Sequence, residues 1–232
     1  MNAPSKLFFA GIGFILFISI SILIYLTFPS NNASHIVPPR ISGTILITPY
    51  ELAPFTLVDQ NNHLFNNDNL IGNWHLISYG YLQCPDVCPT TLLLLTKLKE
   101  QLQNKPYIIN YVFYSVDSNR DRPENIKQYL RFFDDKFIGL TQDKLANMKD
   151  AFADTLGIKA NVETNIINNV PQVNVSHGVH LFLINPTGKL VAVFKPYPSI
   201  SELDNTLPTF NQAWLFEDIT KTIDYINIKH SS

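Results

Sequence analysis

The hydrophobic pattern begins with an uncharged apolar stretch over residues 7–28. A helix of this length, at about 1.5 Å of rise per residue, reaches across about 30 Å of hydrocarbon. The stretch predicts one transmembrane helix, because the apolar core of a cleaved signal peptide is only about 7–15 residues long. Lys6 precedes it and the next basic residue is Arg40, a bias that places residues 1–6 in the cytoplasm. No Arg-rich leader is present, so we expect a bacterial inner (plasma) membrane and a periplasmic domain.

Beyond this helix, the pattern predicts a tether over residues 29–44, rich in Pro, Asn and Ser, and one domain over residues 45–232. Apolar runs bounded by turn residues predict strands, and apolar residues at helical spacing predict helices. The predicted strands are 55–58 with 63–65, 74–80, 107–116, 137–140, and 179–184 with 190–194, and the predicted helices are 90–103, 123–133, 145–156 and 214–226. This order predicts an α/β fold, a thioredoxin-like mixed sheet flanked by helices.

Composition and charge narrow the function classes. The 232 residues are 46% hydrophobic and 16% charged, which is enough apolar material for a packed core. The formal net charge is -2 and no long basic block occurs, so nothing in the sequence would hold a phosphate backbone. We therefore expect no nucleic-acid partner.

The chain has only two cysteines, Cys84 and Cys88. They lie between a predicted strand and a predicted helix, where open α/β sheets place their chemistry. Their spacing allows them to chelate one ion or to form a local disulfide, and a helix N-terminus favours the thiolate. A purely stabilising disulfide is the weakest interpretation, because so short a loop restricts the unfolded chain little.

Two thiolates suit Cu(I), and imidazole is the usual third ligand for a trigonal site. His177 and His180 stand at the entry to the predicted late hairpin. In a regular strand they point to opposite faces, so only one shares the cysteine end of the sheet. His177 is nearer the loop and is the better candidate. The other histidines are predicted to be solvated or packed: His35, His63, His75 and His230.

Several stretches between residues 50 and 196 match one known family in order. They are YGY at 79–81 with CPDVCP at 84–89, SVD at 115–117 with RD at 120–121 and PE at 123–124, FIGLT at 137–141, and His177 eight residues before NPTG at 185–188. In these stretches the chain resembles the Sco/SenC family of membrane-anchored copper proteins, which serve the assembly of cytochrome c oxidase.

The resemblance implies a thioredoxin-like fold that binds one copper ion, as Cu(I) or Cu(II), through Cys84, Cys88 and His177. It also implies a copper metallochaperone that delivers copper to the CuA site of cytochrome c oxidase. The expected partners are the copper-site subunit of the oxidase and another copper donor protein. One departure is Ser176, where the family commonly has Asp, which removes a carboxylate that could orient the imidazole.

A second hypothesis is a periplasmic thiol-disulfide oxidoreductase that reduces the cysteines of the oxidase copper site. Cys84 and Cys88 would then be redox catalytic residues, and His177 would not be needed. A redox or copper sensor is a third hypothesis.

Of the acidic residues near the site, Asp117 is predicted to make turn hydrogen bonds and Asp86 to cap the following helix.

Overall fold

The computed structural model describes residues 14, 16–23, 37–143, 151–167, 170–197 and 209–231. The chain divides into two units, Met1–Val37 and Pro38–Ser232. In the first unit, residues 14 and 16–23 are helical, and the rest of the predicted transmembrane helix lies outside the described residues. No helix within the described ranges is both long enough and apolar enough to span a bilayer.

The described part of the second unit contains ten strands and four α-helices. The strands are β1 Gly43–Glu51, β2 Thr56–Asp59, β3 Leu64–Asn66, β4 Trp74–Gly80, β5 Ile109–Ser115, β6 Ile138–Gln142, β7 Ala160–Ile167, β8 Val170–His177, β9 Leu181–Ile184 and β10 Lys189–Phe194. The helices are α1 Val87–Leu102, α2 Pro123–Leu130, α3 Ala151–Leu156 and α4 Gln212–Ser231.

Eight strands form one mixed sheet in the order β1-β10-β9-β4-β5-β6-β2-β3, while β7 and β8 pair with each other in a separate hairpin. Strands β4, β5 and β6 run parallel, and β9 pairs antiparallel with β4. The end of β4 that leads into α1 therefore lies beside the beginning of β9. This juxtaposition positions the site.

Apolar side chains cover both faces of the central strands. Leu76 of β4 belongs to one core cluster, together with Leu95 of α1 and Ile219 of α4. Ile77, the next residue, belongs to a second cluster on the other face, together with Phe152 of α3. Because successive strand residues point to opposite faces, a strand covered on both sides is apolar throughout. The prediction of a mixed sheet with helices on both faces is confirmed.

Several predicted elements are confirmed, and others are corrected. The early hairpin, the central strands, the late hairpin and the helices that became α1, α2 and α4 are present with shifted ends. Helix α1 begins at Val87, not after Cys88, so Cys88 lies in its first turn. The β7–β8 hairpin was not predicted, and strand β1 begins within the residues predicted as the tether. Residues 145–150 of the third predicted helix and the unassigned residues 199–208 lie outside the described residues.

His75 in β4 is 1% exposed, which confirms that it is a packed side chain. Its Nδ1 lies 3.1 Å from the carbonyl oxygen of Asn73, and the amide of Asn110 lies 3.1 Å from its Nε2. One ring nitrogen therefore donates and the other accepts, which is the pattern of a neutral imidazole. Burial lowers the pKa of His75 to about 4.

This histidine makes stability depend on pH. The unfolded chain binds a proton at His75 near pH 6.5, whereas the folded chain resists protonation down to about pH 4. Stability is therefore full above about pH 6.5 and falls as the pH drops towards 4, by up to about 3 kcal/mol. Urea unfolding at pH 7, 5.5 and 4.5 measures this fall, and His75→Phe is expected to flatten it. The exposed His63 is the control: if His63→Gln flattens the dependence and His75→Phe does not, the assignment is wrong.

Candidate metal centre

The two cysteines lie on the connection between β4 and α1. The backbone N–H of Cys84 donates to the carbonyl oxygen of Tyr81 at 3.2 Å, which tightens the loop. Cys84 is half-buried, and Cys88, in the first turn of α1, is 3% exposed. The two sulfurs are not joined by a disulfide. The structure thus brings both predicted cysteines together at the edge where β4 ends.

The sulfur of Cys84 caps helix α1. The backbone N–H of Cys88 donates to Cys84 Sγ at 3.4 Å. Asp86 occupies the N-cap position, but its side chain makes no capping hydrogen bond, so the predicted capping role of Asp86 is wrong. The free N–H groups and the positive dipole end of a helix stabilise a negative charge placed there. Cys84 is therefore placed to carry the thiolate of the pair.

The surroundings of Cys88 favour its protonated thiol. A hydrogen bond to Cys84, together with burial, raises the pKa of the Cys88 thiol. A metal ion that binds both sulfurs must displace this proton, so binding is coupled to proton release. Gly80 makes room for this sulfur, because a Cβ atom on Gly80 would lie 2.4 Å from Cys88 Sγ.

A buried carboxylate on the connection between β5 and α2 fixes the loop. Asp121, 3% exposed, accepts hydrogen bonds from the backbone N–H of Leu82 at 2.9 Å and from Ser115 Oγ at 2.7 Å. Burial raises the pKa of this carboxyl. The neighbouring Arg120 donates from Nη1 to Gln83 Oε1 at 2.9 Å. These contacts hold the residues that precede Cys84, and the sequence reasoning assigned them no role.

Asp117 lies in a turn, as predicted. Its carbonyl oxygen accepts from the backbone N–H groups of Arg120 and Asp121, at 3.1 and 2.9 Å. Its buried carboxylate forms an ion pair with Arg120. Asp117, two residues after the end of β5, therefore supports Arg120, whose guanidinium contacts the loop.

Removing the Asp121 carboxylate is expected to destabilise the domain. In Asp121→Ala, the buried hydroxyl of Ser115 and the half-buried N–H of Leu82 lose their acceptor, a change that costs about 1–3 kcal/mol. Denaturant unfolding measures this loss. The matched control is Asp86→Ala, because Asp86 lies exposed at the N-cap and its side chain makes no capping bond. Its free energy of unfolding is expected to stay within about 0.5 kcal/mol of that of the parent. Equal stability of the Asp121 variant and the parent would refute the role of this carboxylate.

The other histidines fall where the sequence placed them, as far as the structure describes them. His63 is exposed and lies 3.5 Å from Asp59, and His75 is packed in β4. His35 lies outside the described residues, as does the side chain of His230. Neither His63 nor His75 belongs to the cysteine loop.

His177 and His180 do not lie in one strand. The prediction that they point to opposite faces of a single strand is therefore wrong. His177 ends β8, residues 178–180 form a link, and β9 begins at Leu181. Strand β9 pairs with β4 so that Ile77 lies opposite Phe182. Continued by two residues, this register places His180 opposite Tyr79, and Tyr79 Oη lies 3.2 Å from His180 Nδ1. The link that follows His177 therefore contacts Tyr79, near the end of β4 that leads to the cysteines.

Within the described side chains, no group of three or more His, Cys, Asp or Glu residues could hold a metal ion. The side chain of His177 is not among those described. His177 as the third ligand therefore stays a prediction. The donors that are described are two soft sulfurs, one of them at a helix N-terminus, and such donors suit copper.

Fold and site together define a thioredoxin-like protein with a dithiol at the start of a helix. The SCO1/SenC family profile matches residues 48–210, so the chain belongs to the SCO1/SenC family. The SCO2-like protein of Rickettsia conorii is 37% identical to it over 140 residues, which are 60% of this chain and 67% of that protein.

Two solved structures share the fold. ScoI of Bradyrhizobium japonicum with copper bound is 25% identical, with a TM-score of 0.56 over 75% of this chain and 99% of that one. BsSco, described with a disulfide switch and as a member of the Sco family of cytochrome c oxidase assembly proteins, is 20% identical, with a TM-score of 0.53 over 80% and 95%. The predictions of the family and of the thioredoxin-like fold are confirmed. The predicted copper agrees with the copper that is bound in the Bradyrhizobium japonicum structure.

Proposed function

We propose that this chain is a copper metallochaperone that delivers copper to the CuA site of cytochrome c oxidase. The observation that carries the proposal is the cysteine pair itself, with Cys84 Sγ at the N-terminus of α1 and Cys88 buried beside it. Residues 7–28 would anchor the protein in a bacterial inner membrane, and the residues between them and β1 would tether the domain on the periplasmic side. The partners would be the copper-site subunit of the oxidase and a copper donor protein.

The proposed ligands are Cys84, Cys88 and His177. The β4–β9 register supports His177, because it brings the segment that follows this histidine against Tyr79, five residues before Cys84. Ser176 brings no carboxylate to support the imidazole from the preceding position. Three ligands leave a position open, through which a thiolate or imidazole of the recipient attacks copper before the old bonds break.

A thiol-disulfide oxidoreductase is the second candidate, and the unequal burial of the two cysteines favours it. The accessible Cys84 thiolate would attack a disulfide of the recipient and form a mixed disulfide. Cys88 would then give up its proton and attack Cys84 Sγ. The chain would be left with a Cys84–Cys88 disulfide, and the recipient would leave as a dithiol with both electrons. This activity needs both sulfurs and no imidazole.

An anaerobic Cu(I) titration of the fully reduced chain against a competing chelator tests the proposal. We expect one copper per chain, bound more tightly than the chelator binds it, and loss of this binding in Cys84→Ser and in Cys88→Ser. His63→Ala, at an exposed position, serves as the control and is expected to bind as the parent does. A reduced parent chain that takes up no Cu(I) would refute the chaperone proposal.

A further inference from the structure

Tyr79 and His180 form a polar contact between the end of strand β4 and the link before β9. Tyr79 is 8% exposed, and its ring packs against Phe182 with the ring centroids 5.8 Å apart. The hydroxyl at the end of this fixed ring lies 3.2 Å from His180 Nδ1. The contact therefore joins the strand that leads to the cysteines to the link that follows His177.

The protonation states of Tyr79 and His180 decide which of the two donates the hydrogen bond. Burial raises the pKa of Tyr79 to about 12, and burial, with a smaller contribution from Lys195, lowers the pKa of His180. At neutral pH the phenol is protonated and the imidazole is neutral. We assign the hydroxyl of Tyr79 as donor to Nδ1, which leaves the ring proton of His180 on Nε2. With Nδ1 accepting this bond and Nε2 protonated, His180 offers no free lone pair to a metal ion.

The backbone of Gly178 lies against the same hydroxyl. A Cβ atom on Gly178 would lie 2.9 Å from Tyr79 Oη and 3.1 Å from the His180 ring. Glycine therefore permits the close approach of the link to Tyr79. Because Gly178 directly follows His177, the hydroxyl touches the link at two points, one and three residues after the proposed ligand.

We infer that Tyr79 is a positioning residue for copper: its hydroxyl fixes the link after His177 beside the cysteine loop and withholds His180 from the metal ion. The inference rests on the proposed function. Tyr79 belongs to the core cluster that contains Phe152, whereas leucines of α1, the helix that carries Cys88, belong to the other cluster. The loop itself is held by Asp121 through Leu82. Loss of the Tyr79 hydroxyl is therefore expected to act on the histidine side of the site and to leave the cysteine side unchanged.

The test is a double-variant cycle on the full-length chain in a mild detergent. Tyr79→Phe and His180→Leu each remove the hydrogen bond, and each is expected to weaken Cu(I) binding about 3- to 10-fold, the effect of one lost hydrogen bond. The variant with both changes is expected to be no weaker than the single variants. His180→Asn, whose Oδ1 stands near the place of Nδ1 and accepts the same bond, is expected to restore binding close to that of the parent.

Two further readouts separate positioning from a general loss of structure. The sulfur-to-Cu(II) charge-transfer band is expected to shift in Tyr79→Phe and His180→Leu and to keep its parent position in His180→Asn. The rate of thiol-disulfide exchange with a model disulfide is expected to stay within twofold of the parent in all of them.

Three outcomes overturn the inference: unchanged Cu(I) affinity in Tyr79→Phe, independent effects that multiply in the double variant, or a His180→Asn variant as weak as His180→Leu. A parent chain without Cu(I) affinity overturns the proposed function and this inference together. A parent chain that binds Cu(I) and loses it in His177→Ala, combined with a Tyr79→Phe variant that binds normally, overturns this inference alone.

Discussion

Gly80→Ala is expected to lose at least tenfold in Cu(I) affinity and to destabilise the domain. The added methyl group would lie 2.4 Å from Cys88 Sγ and 3.4 Å from the ring of Phe113. Overpacking of this kind costs about 1–3 kcal/mol. Because ligand distances tolerate only about 0.2 Å, a shift of Cys88 Sγ that relieves the clash also spoils the metal geometry. A Cu(I) competition titration and denaturant unfolding measure the two effects.

Gly139→Ala is the matched control for this variant. A Cβ atom there would lie 2.2 Å from Ile126 Cγ2 and 2.8 Å from Leu130 Cδ1, a comparable clash with helix α2 instead of the cysteines. We expect a similar loss of stability and unchanged Cu(I) affinity per folded molecule. If both variants lose affinity in proportion to stability, the close approach of Gly80 to Cys88 has no specific role at the site.

His177→Ala is expected to lower Cu(I) affinity by more than about 100-fold, since removal of a ligand should exceed the 10- to 100-fold effect of residues that only support ligands. Thiol-disulfide exchange is expected to continue at the parent rate, because it requires Cys84 and Cys88 alone. Competition titration and exchange with a model disulfide measure the two activities on the same preparation. This separation would distinguish the chaperone from the oxidoreductase.

The control is His75→Ala, which removes an imidazole held in the core by Asn73 and Asn110. It is expected to lose stability and to keep its Cu(I) affinity when folded. A His177→Ala variant that binds Cu(I) as tightly as the parent would remove this histidine from the ligand set and favour the oxidoreductase.

The sequence predicted those elements whose hydrophobic pattern is local. Strand β4 is buried at every residue and helix α1 buries leucines at helical spacing, so each has a distinct signature. The β7–β8 hairpin has none, because it pairs only with itself outside the main sheet and is rich in Asn. Strand β1 contains Pro49 and a register shift between Ile45 and Tyr50, which interrupts its alternation.

The sequence predicted those features of the site that depend on residue type and local spacing. The two cysteines are recognisable by type and spacing. Pro89 indicates a helix start close to them, but α1 already begins at Val87, before Cys88. The capping role of Cys84 could not be predicted, because Asp86 is the better N-cap by residue type. Only the structure shows that the sulfur of Cys84, and not the Asp86 side chain, accepts the capping hydrogen bond. The contact of Asp121 with Leu82 spans 39 residues of sequence, and that of Tyr79 with His180 spans 101. Contacts of this range depend on strand register, which local patterns do not contain.

The central claim is that copper is held by the sulfurs of Cys84 and Cys88 and by one imidazole, that of His177. X-ray absorption at the copper edge of the Cu(I)-loaded chain tests it most directly, because it counts the sulfur and nitrogen neighbours of the metal. We expect two sulfurs and one nitrogen, with the nitrogen lost in His177→Ala and kept in His180→Asn. A spectrum that shows only sulfur neighbours, or a nitrogen neighbour that survives in His177→Ala, would contradict it.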